Sequence, residues 1–403
     1  MLIKEVIPKI INNSRNEKTI QLTIKTLKGS FTASSPYGKS KGKYETPAYN
    51  ERGIEFSIRL LKEFSFQLKN KNFSLKKFDD LKDIEEKIIN FENEFGKLGA
   101  NITYALETGI LKAAAKENEK ELWDFILEDK EIKIPMPIGN CIGGGKHTHS
   151  PKKPDFQEFL LIPHEKTFSK AFTKMFRAYE TAKSEIKALE KKWIVQTNDE
   201  KAWQTNLSNE LCLDILKTVS DKYCLRIGVD LAASSFFNKT KKEFNYHNKE
   251  INRNSESHLE YINMLIQRYD LFYLEDPMDE EDFFGFSRLI SFKNNNTLIV
   301  GDDLTVTHLD RIKKAVAHKC INAIIIKPNQ NGYLLKVKEA VEFSRKNNLK
   351  IIFSHRSGET MDDALADYAV GFRADFIKTG INGKERLIKL KRMIDIEKSV
   401  GLG

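Results

Sequence analysis

A chain of 403 residues, 40% hydrophobic and 31% charged, has the length for a large barrel plus a smaller unit and the composition of an ordinary folded protein. No apolar run reaches the roughly 18 residues of a membrane span, and the start Met1-Leu2-Ile3-Lys4-Glu5 lacks a signal-peptide layout, so the expected location is the cytoplasm. Cys141, Cys212, Cys224 and Cys320 are too scattered for a zinc site or a disulfide framework, and the formal charge of +9 is spread over lysines that match no nucleic-acid module, so nucleic acid is not an expected partner.

Residues 18–35 alternate apolar and polar positions, Ile20, Leu22 and Ile24 against Gln21, Thr23 and Lys25, and turn at Lys28-Gly29, which predicts a hairpin. Helical periodicity follows near 51–70, 79–96 and 101–128. Strands followed by clustered helices define a self-contained α+β unit, residues 1–130. Ile134-Pro135-Met136-Pro137 marks the crossing into a second domain, 131–403. There short apolar strands alternate with helices. The strands are predicted at 223–229, 271–275, 298–301, 322–327, 350–354 and 374–378. The helices are predicted at 255–269, 281–292, 307–319, 333–347, 361–371 and 384–397. Six βα units after a first strand or two predict an α/β fold, a TIM-like eight-stranded barrel of mainly parallel strands capped by the N-terminal domain. A doubly wound open sheet competes, but no G-x-G-x-x-G follows the first strand.

The predicted strands end on ionisable residues: Asp230, Glu275, Asp302, Lys327, His355-Arg356 and Lys378. One carboxylate at a strand end is more simply a helix cap or a surface ion pair. Six such positions in succession would converge on one mouth of a barrel, where such folds place their chemistry. Asp230, Glu275 and Asp302 buried together repel unless a cation neutralises them, and three oxygen ligands favour a hard ion, magnesium or manganese. Lys327, Lys378 and Arg356 suit a substrate with several negative charges, and Arg356 with Ser357 suits a phosphate. A lysine crowded by a metal and other cations has a lowered pKa and can take a proton.

Ser354-His355-Arg356-Ser357-Gly358-Glu359-Thr360, Ile377-Lys378-Thr379-Gly380, Leu274-Glu275-Asp276-Pro277, Gly301-Asp302-Asp303-Leu304-Thr305, Gly228-Val229-Asp230-Leu231 and Lys327-Pro328-Asn329-Gln330 resemble enolase motifs, in order, over nearly the whole chain. The resemblance implies an enolase-type barrel that interconverts 2-phosphoglycerate and phosphoenolpyruvate, with two magnesium ions per site or manganese in their place, in a homo-oligomer of at least two copies. It implies Asp230, Glu275 and Asp302 as metal ligands, with Ser40 of the N-terminal loop completing a second ion. Lys327 is implied as the base at carbon 2 and Glu200, in an Asp-Glu pair, as the acid, with Glu158 of Gln157-Glu158-Phe159 beside it. Lys378 would meet the substrate carboxylate, Arg356 and Ser357 the phosphate, and His355 and Gln157 the remaining contacts. His147 matches a loop histidine.

The pattern departs at Lys201-Ala202, where enolases carry two glycines. Glycine there permits a positive φ, and Lys201 adds a positive charge beside the acid. The N-terminal loop reads Tyr37-Gly38-Lys39-Ser40-Lys41-Gly42, and the segment between His147 and Gln157 resembles archaeal-type enolases. An enolase-like paralogue acting on a related phosphorylated hydroxyacid, and a catalytically weak scaffold, stand as alternatives.

Overall fold

Pro8 sits in the middle of the first long strand, Glu5–Asn12, and cannot donate to a ladder. The strand accordingly lies at the edge of a three-stranded antiparallel sheet, paired only to Lys18–Lys25, which pairs in turn to Ser30–Ser34. The predicted hairpin is therefore the second half of a meander. The computed structural model describes residues 1–39, 42–128, 131–148, 152–294 and 296–402, without the side chain of His147. Helices Ile54–Leu68 and Ala100–Glu117 pack on the sheet, and Lys82–Phe95 packs on Ile54–Leu68. The helix Ala100–Glu117 was predicted to run to 128; it stops where Glu119 turns left-handed at φ 58°, and a short helix Leu122–Ile126 follows.

Eight strands then close a ring: Met136–Gly143, Glu158–Ile162, Arg226–Asp230, Tyr273–Glu275, Leu298–Gly301, Ala323–Ile326, Lys350–Ser354 and Phe376–Lys378, the last pairing back to the first. All neighbours run parallel except Glu158–Ile162, which is antiparallel to both of its own. This reversal puts the start of that strand at the mouth, with Glu158 opposite Asp230 and Gly143. Two helices that the lysine-rich sequence hid, Phe168–Leu189 and Asn209–Tyr223, fill the gap before Arg226. The first buries Phe168, Ala171, Met175, Ala178, Ala182 and Ile186, an i, i+3, i+4 stripe. A small meander, Phe237–Asn238, Glu243–Tyr246 and Ile251–Asn254, decorates the next connection.

The barrel's side chains separate into two cores. Ile138, Leu160, Ile162, Tyr273, Val300, Ala323, Ile325 and Ile352 form one buried cluster, and their strand neighbours join the larger core shared with the helices. The alternation along each strand puts the smaller cluster inside the ring. The polar strand ends rest on this apolar plug.

Candidate active site

The strand-end residues Asp230, Asp302, Lys327, His355, Arg356 and Lys378 line one pocket, and Glu275, outside the lining, contacts it through Lys378. It is lined by Gln157, Glu158, Glu200, Asp230, Asp302, Lys327, His355, Arg356, Ser357 and Lys378, together with Asp276, Asp303 and Gly38. Each position has a local cause. Glu275 pairs in register with Asp230 on the adjacent strand, so their side chains share a level. Lys327 follows the strand Ala323–Ile326, and its amide donates to Thr307 Oγ1 at 2.9 Å. Val306 and Thr307 are held left-handed, at φ 44° and 57°, which β-branched residues adopt only under constraint. That strain lets Thr307 also donate to Gln330 Oε1 at 2.7 Å. Glu200 comes from a connection, not a strand: Asn198 Oδ1 accepts from the amides of Glu200 and Ala202, each at 3.0 Å, and folds the turn inward. A Cβ on Gly143 would lie 2.1 Å from Asn198 Nδ2, so only glycine admits that turn. Asn140 Nδ2 then donates to Glu200 Oε2 at 3.1 Å.

The lysines are already engaged. Lys378 Nζ lies 2.7 Å from Glu275 Oε2, 3.0 Å from Glu158 Oε2 and 3.3 Å from Asp230 Oδ2. Lys327 pairs with Asp302. Burial opposes both lysine charges, but these carboxylates outweigh it and hold both ammonium groups above their usual range. For Lys327 the largest such contribution is Asp302, which stabilises its proton. Burial, reinforced by Asp230, pushes Glu275 up to about 8. Burial and the Asp302 charge push Asp303 to about 7. Burial lowers His355 well below its usual value, so it stands neutral.

Asp276, Asp302 and Asp303 bring carboxylate oxygens within 4.8 Å of one another. Among the described residues, Asp230 and Glu275 do not join Asp302 in so tight a group. The donor set nevertheless fits a hard cation. Six carboxylates line the pocket against three cationic side chains, and Glu275 Oε1 is buried with no hydrogen-bond partner.

Two further expectations resolve. Lys201 does adopt a positive φ, 65°, but its side chain is exposed and lies against Gly383, with Cγ 2.8 Å from where a Cβ on that glycine would be. It does not line the pocket, so the extra charge expected beside Glu200 is not placed there. Ser40 lies outside the described residues, as does the His147 side chain; the backbone of His147 closes a short turn, Gly145–His147. The sequence reading missed Glu45, Asn140 and Asn329 as site residues. Asn329 Oδ1 accepts from Arg356 NH1 at 3.3 Å, and its place in the Lys-Pro-Asn-Gln string was the available signal.

A barrel whose mouth gathers carboxylates, two lysines and an arginine under an N-terminal cap defines an enzyme of the α/β-barrel class acting on an anionic substrate. A family model described as the enolase C-terminal TIM barrel domain matches residues 131–403, and one for the enolase N-terminal domain matches residues 3–126. The chain belongs to the enolase family, the phosphopyruvate hydratases, carbon–oxygen lyases that dehydrate 2-phosphoglycerate. It is 33% identical to an enolase of Methanosphaera stadtmanae over 99% of this chain and 97% of that one. It is 36% identical to an enolase of Pyrobaculum aerophilum, over 92% of this chain and 88% of that one. An enolase of Methanothermobacter thermautotrophicus is 31% identical, over 99% and 97%. Among the described residues no helix is long and apolar enough to cross a membrane.

Proposed function

We propose that this chain interconverts 2-phosphoglycerate and phosphoenolpyruvate, with Lys327 as the base at carbon 2 and Glu200 as the acid for the departing hydroxyl. The observation that carries the assignment is the shared pocket: Glu158, Glu200, Asp230, Asp302, Lys327 and Lys378, distant in sequence, line one volume. Arg356 and Ser357 offer a guanidinium fork and a hydroxyl to the phosphate. Lys378, His355 and Gln157 orient the carboxylate end, and Glu158 stands with Glu200 in a buried, carboxylate-rich corner of the pocket. His147 belongs to the loop that completes the site. Asp230, Glu275 and Asp302 would hold magnesium, or manganese, with Ser40 contributing to a second ion. Such ions supply positive charge opposite the substrate carboxylate, which makes the neighbouring carbon–hydrogen bond more acidic.

Lys327 must be neutral to accept a proton, so its pairing with Asp302 has to be released before turnover. Docking of the N-terminal loop excludes water from the site, which protects the enediolate formed after proton removal. The capping unit is assigned to residues 1–130 and the barrel to 131–403. A cytoplasmic homo-oligomer of at least two copies belongs to the same reading on family resemblance. The test is ultraviolet detection of phosphoenolpyruvate formed from 2-phosphoglycerate with magnesium present. Turnover abolished by Lys327→Ala supports the assignment; no turnover by the unaltered chain rejects it.

A further inference from the structure

The N-terminal loop brings a carboxylate against the pocket's arginine that the reaction, as proposed, does not use. Glu45 lies between the sheet and the first helix, and its side chain is buried. Arg356 NH2 donates to Glu45 Oε1 at 3.0 Å and to Oε2 at 2.9 Å. The Gly42 amide donates to Oε1 at 3.1 Å, and Gln330 Nε2 donates to the same oxygen at 3.3 Å. Gln330 also reaches Asp302 Oδ1, at 3.5 Å. Arg356 lines the pocket, whereas Glu45 is not among the lining residues, so the carboxylate stands behind the guanidinium instead of in the substrate's place.

An arginine on a flexible stem loses rotamer freedom when it grips an anion, and holding it beforehand removes that cost from binding. Glu45 holds one edge of the fork and Asn329 another. The segment that carries this support is tied to the barrel on both sides of Glu45. Tyr37 and Gly358 exchange backbone hydrogen bonds at 2.7 and 2.9 Å, and the Thr46 amide donates to Gln330 O at 3.0 Å. Loop, clamp and barrel meet at one carboxylate.

We propose that Glu45 is a positioning residue, through which docking of the N-terminal loop sets the Arg356 guanidinium for the substrate phosphate. The proposal rests on the function assigned above. Its test compares the unaltered chain, Glu45→Gln, Arg356→Lys and the double variant, with 2-phosphoglycerate and magnesium. Glu45→Gln is expected to raise KM about tenfold, with a smaller change in kcat and the fold intact by circular dichroism. In the Arg356→Lys background, which lacks the fork, the same change is expected to add less than about twofold. Glu45→Gln should also speed tryptic cleavage after Lys39 and Lys43. An active unaltered chain with unchanged KM in Glu45→Gln overturns the role of Glu45, as does a full, additive effect in the lysine background. An inactive unaltered chain overturns the assigned function, and this proposal with it.

Discussion

Lys378 Nζ lies 2.7 Å from Glu275 Oε2, and neither side chain is more than 4% exposed. This ammonium is the counter-charge for three buried carboxylates, since Glu158 and Asp230 also lie within 3.3 Å of it. Removing one partner of a buried ion pair leaves the other charge uncompensated, at about 3–5 kcal/mol. Lys378→Met should lose about that much stability in urea unfolding with chelator present. Added magnesium should recover more of it than it adds to the unaltered chain. A cost below about 1 kcal/mol would contradict the counter-charge role.

Gly38 faces Arg356 so closely that a Cβ there would lie 2.0 Å from NH2. Gly38→Ala should displace the guanidinium without unfolding the chain. Because a misplaced anion clamp costs about a hundredfold, kcat/KM should fall by that order while the melting temperature moves by only a few degrees. Unchanged kinetics would show that the clamp is not where the substrate binds.

Away from the site, Glu85 and Glu107 meet at the start of the helix Leu334–Lys346. Leu335 N donates to Glu85 Oε1 at 2.8 Å and Leu334 N to Glu107 Oε2 at 2.7 Å. The Glu85 and Glu107 side chains are in hydrogen-bonding contact, and Glu107 Oε1 is buried without any other donor, as a carboxyl pair sharing a proton requires. Burial raises both carboxyls, with the Glu85 charge adding to the rise at Glu107. Glu92 and Glu339 push the same way, while Lys336 opposes. A value raised on folding means stability that is complete below the ordinary carboxyl value of about 4.3 and lost as pH rises through the folded one. Glu107→Gln should therefore flatten the decline in urea-unfolding stability above that pH. Parallel profiles for the two chains would refute the shared proton.

Lys201 is a non-glycine residue at φ 65° whose side chain leaves the pocket. Lys201→Gly should relieve about 1 kcal/mol of backbone strain, partly offset by the freedom glycine gains in the unfolded chain. The melting temperature should rise slightly with kcat unchanged. A large change in kcat would mean that Lys201 acts on Glu200 after all.

The barrel and most of its charged mouth were legible because a short apolar run ending in a charged residue recurs about once per βα unit, from Asp230 to Lys378. The reversed strand Glu158–Ile162 was not legible, since all five of its residues are buried and nothing local encodes its direction. Pro8 masked the first strand because an edge position tolerates what an inner one does not. Lys201 was legible in its backbone, as the missing glycine marked a left-handed position, but not in its side chain, whose course depends on Gly383. Glu45 was invisible: its partners Gln330 and Arg356 come from the far end of the chain.

Lys327 and Glu200 are assigned to successive steps, and the two steps can be separated by following loss of the carbon-2 proton of 2-phosphoglycerate in deuterated water by nuclear magnetic resonance. With magnesium present, Glu200→Gln should retain that exchange while phosphoenolpyruvate formation stops, and Lys327→Ala should abolish both. Exchange that persists in Lys327→Ala, or that disappears in Glu200→Gln, would contradict the assignment.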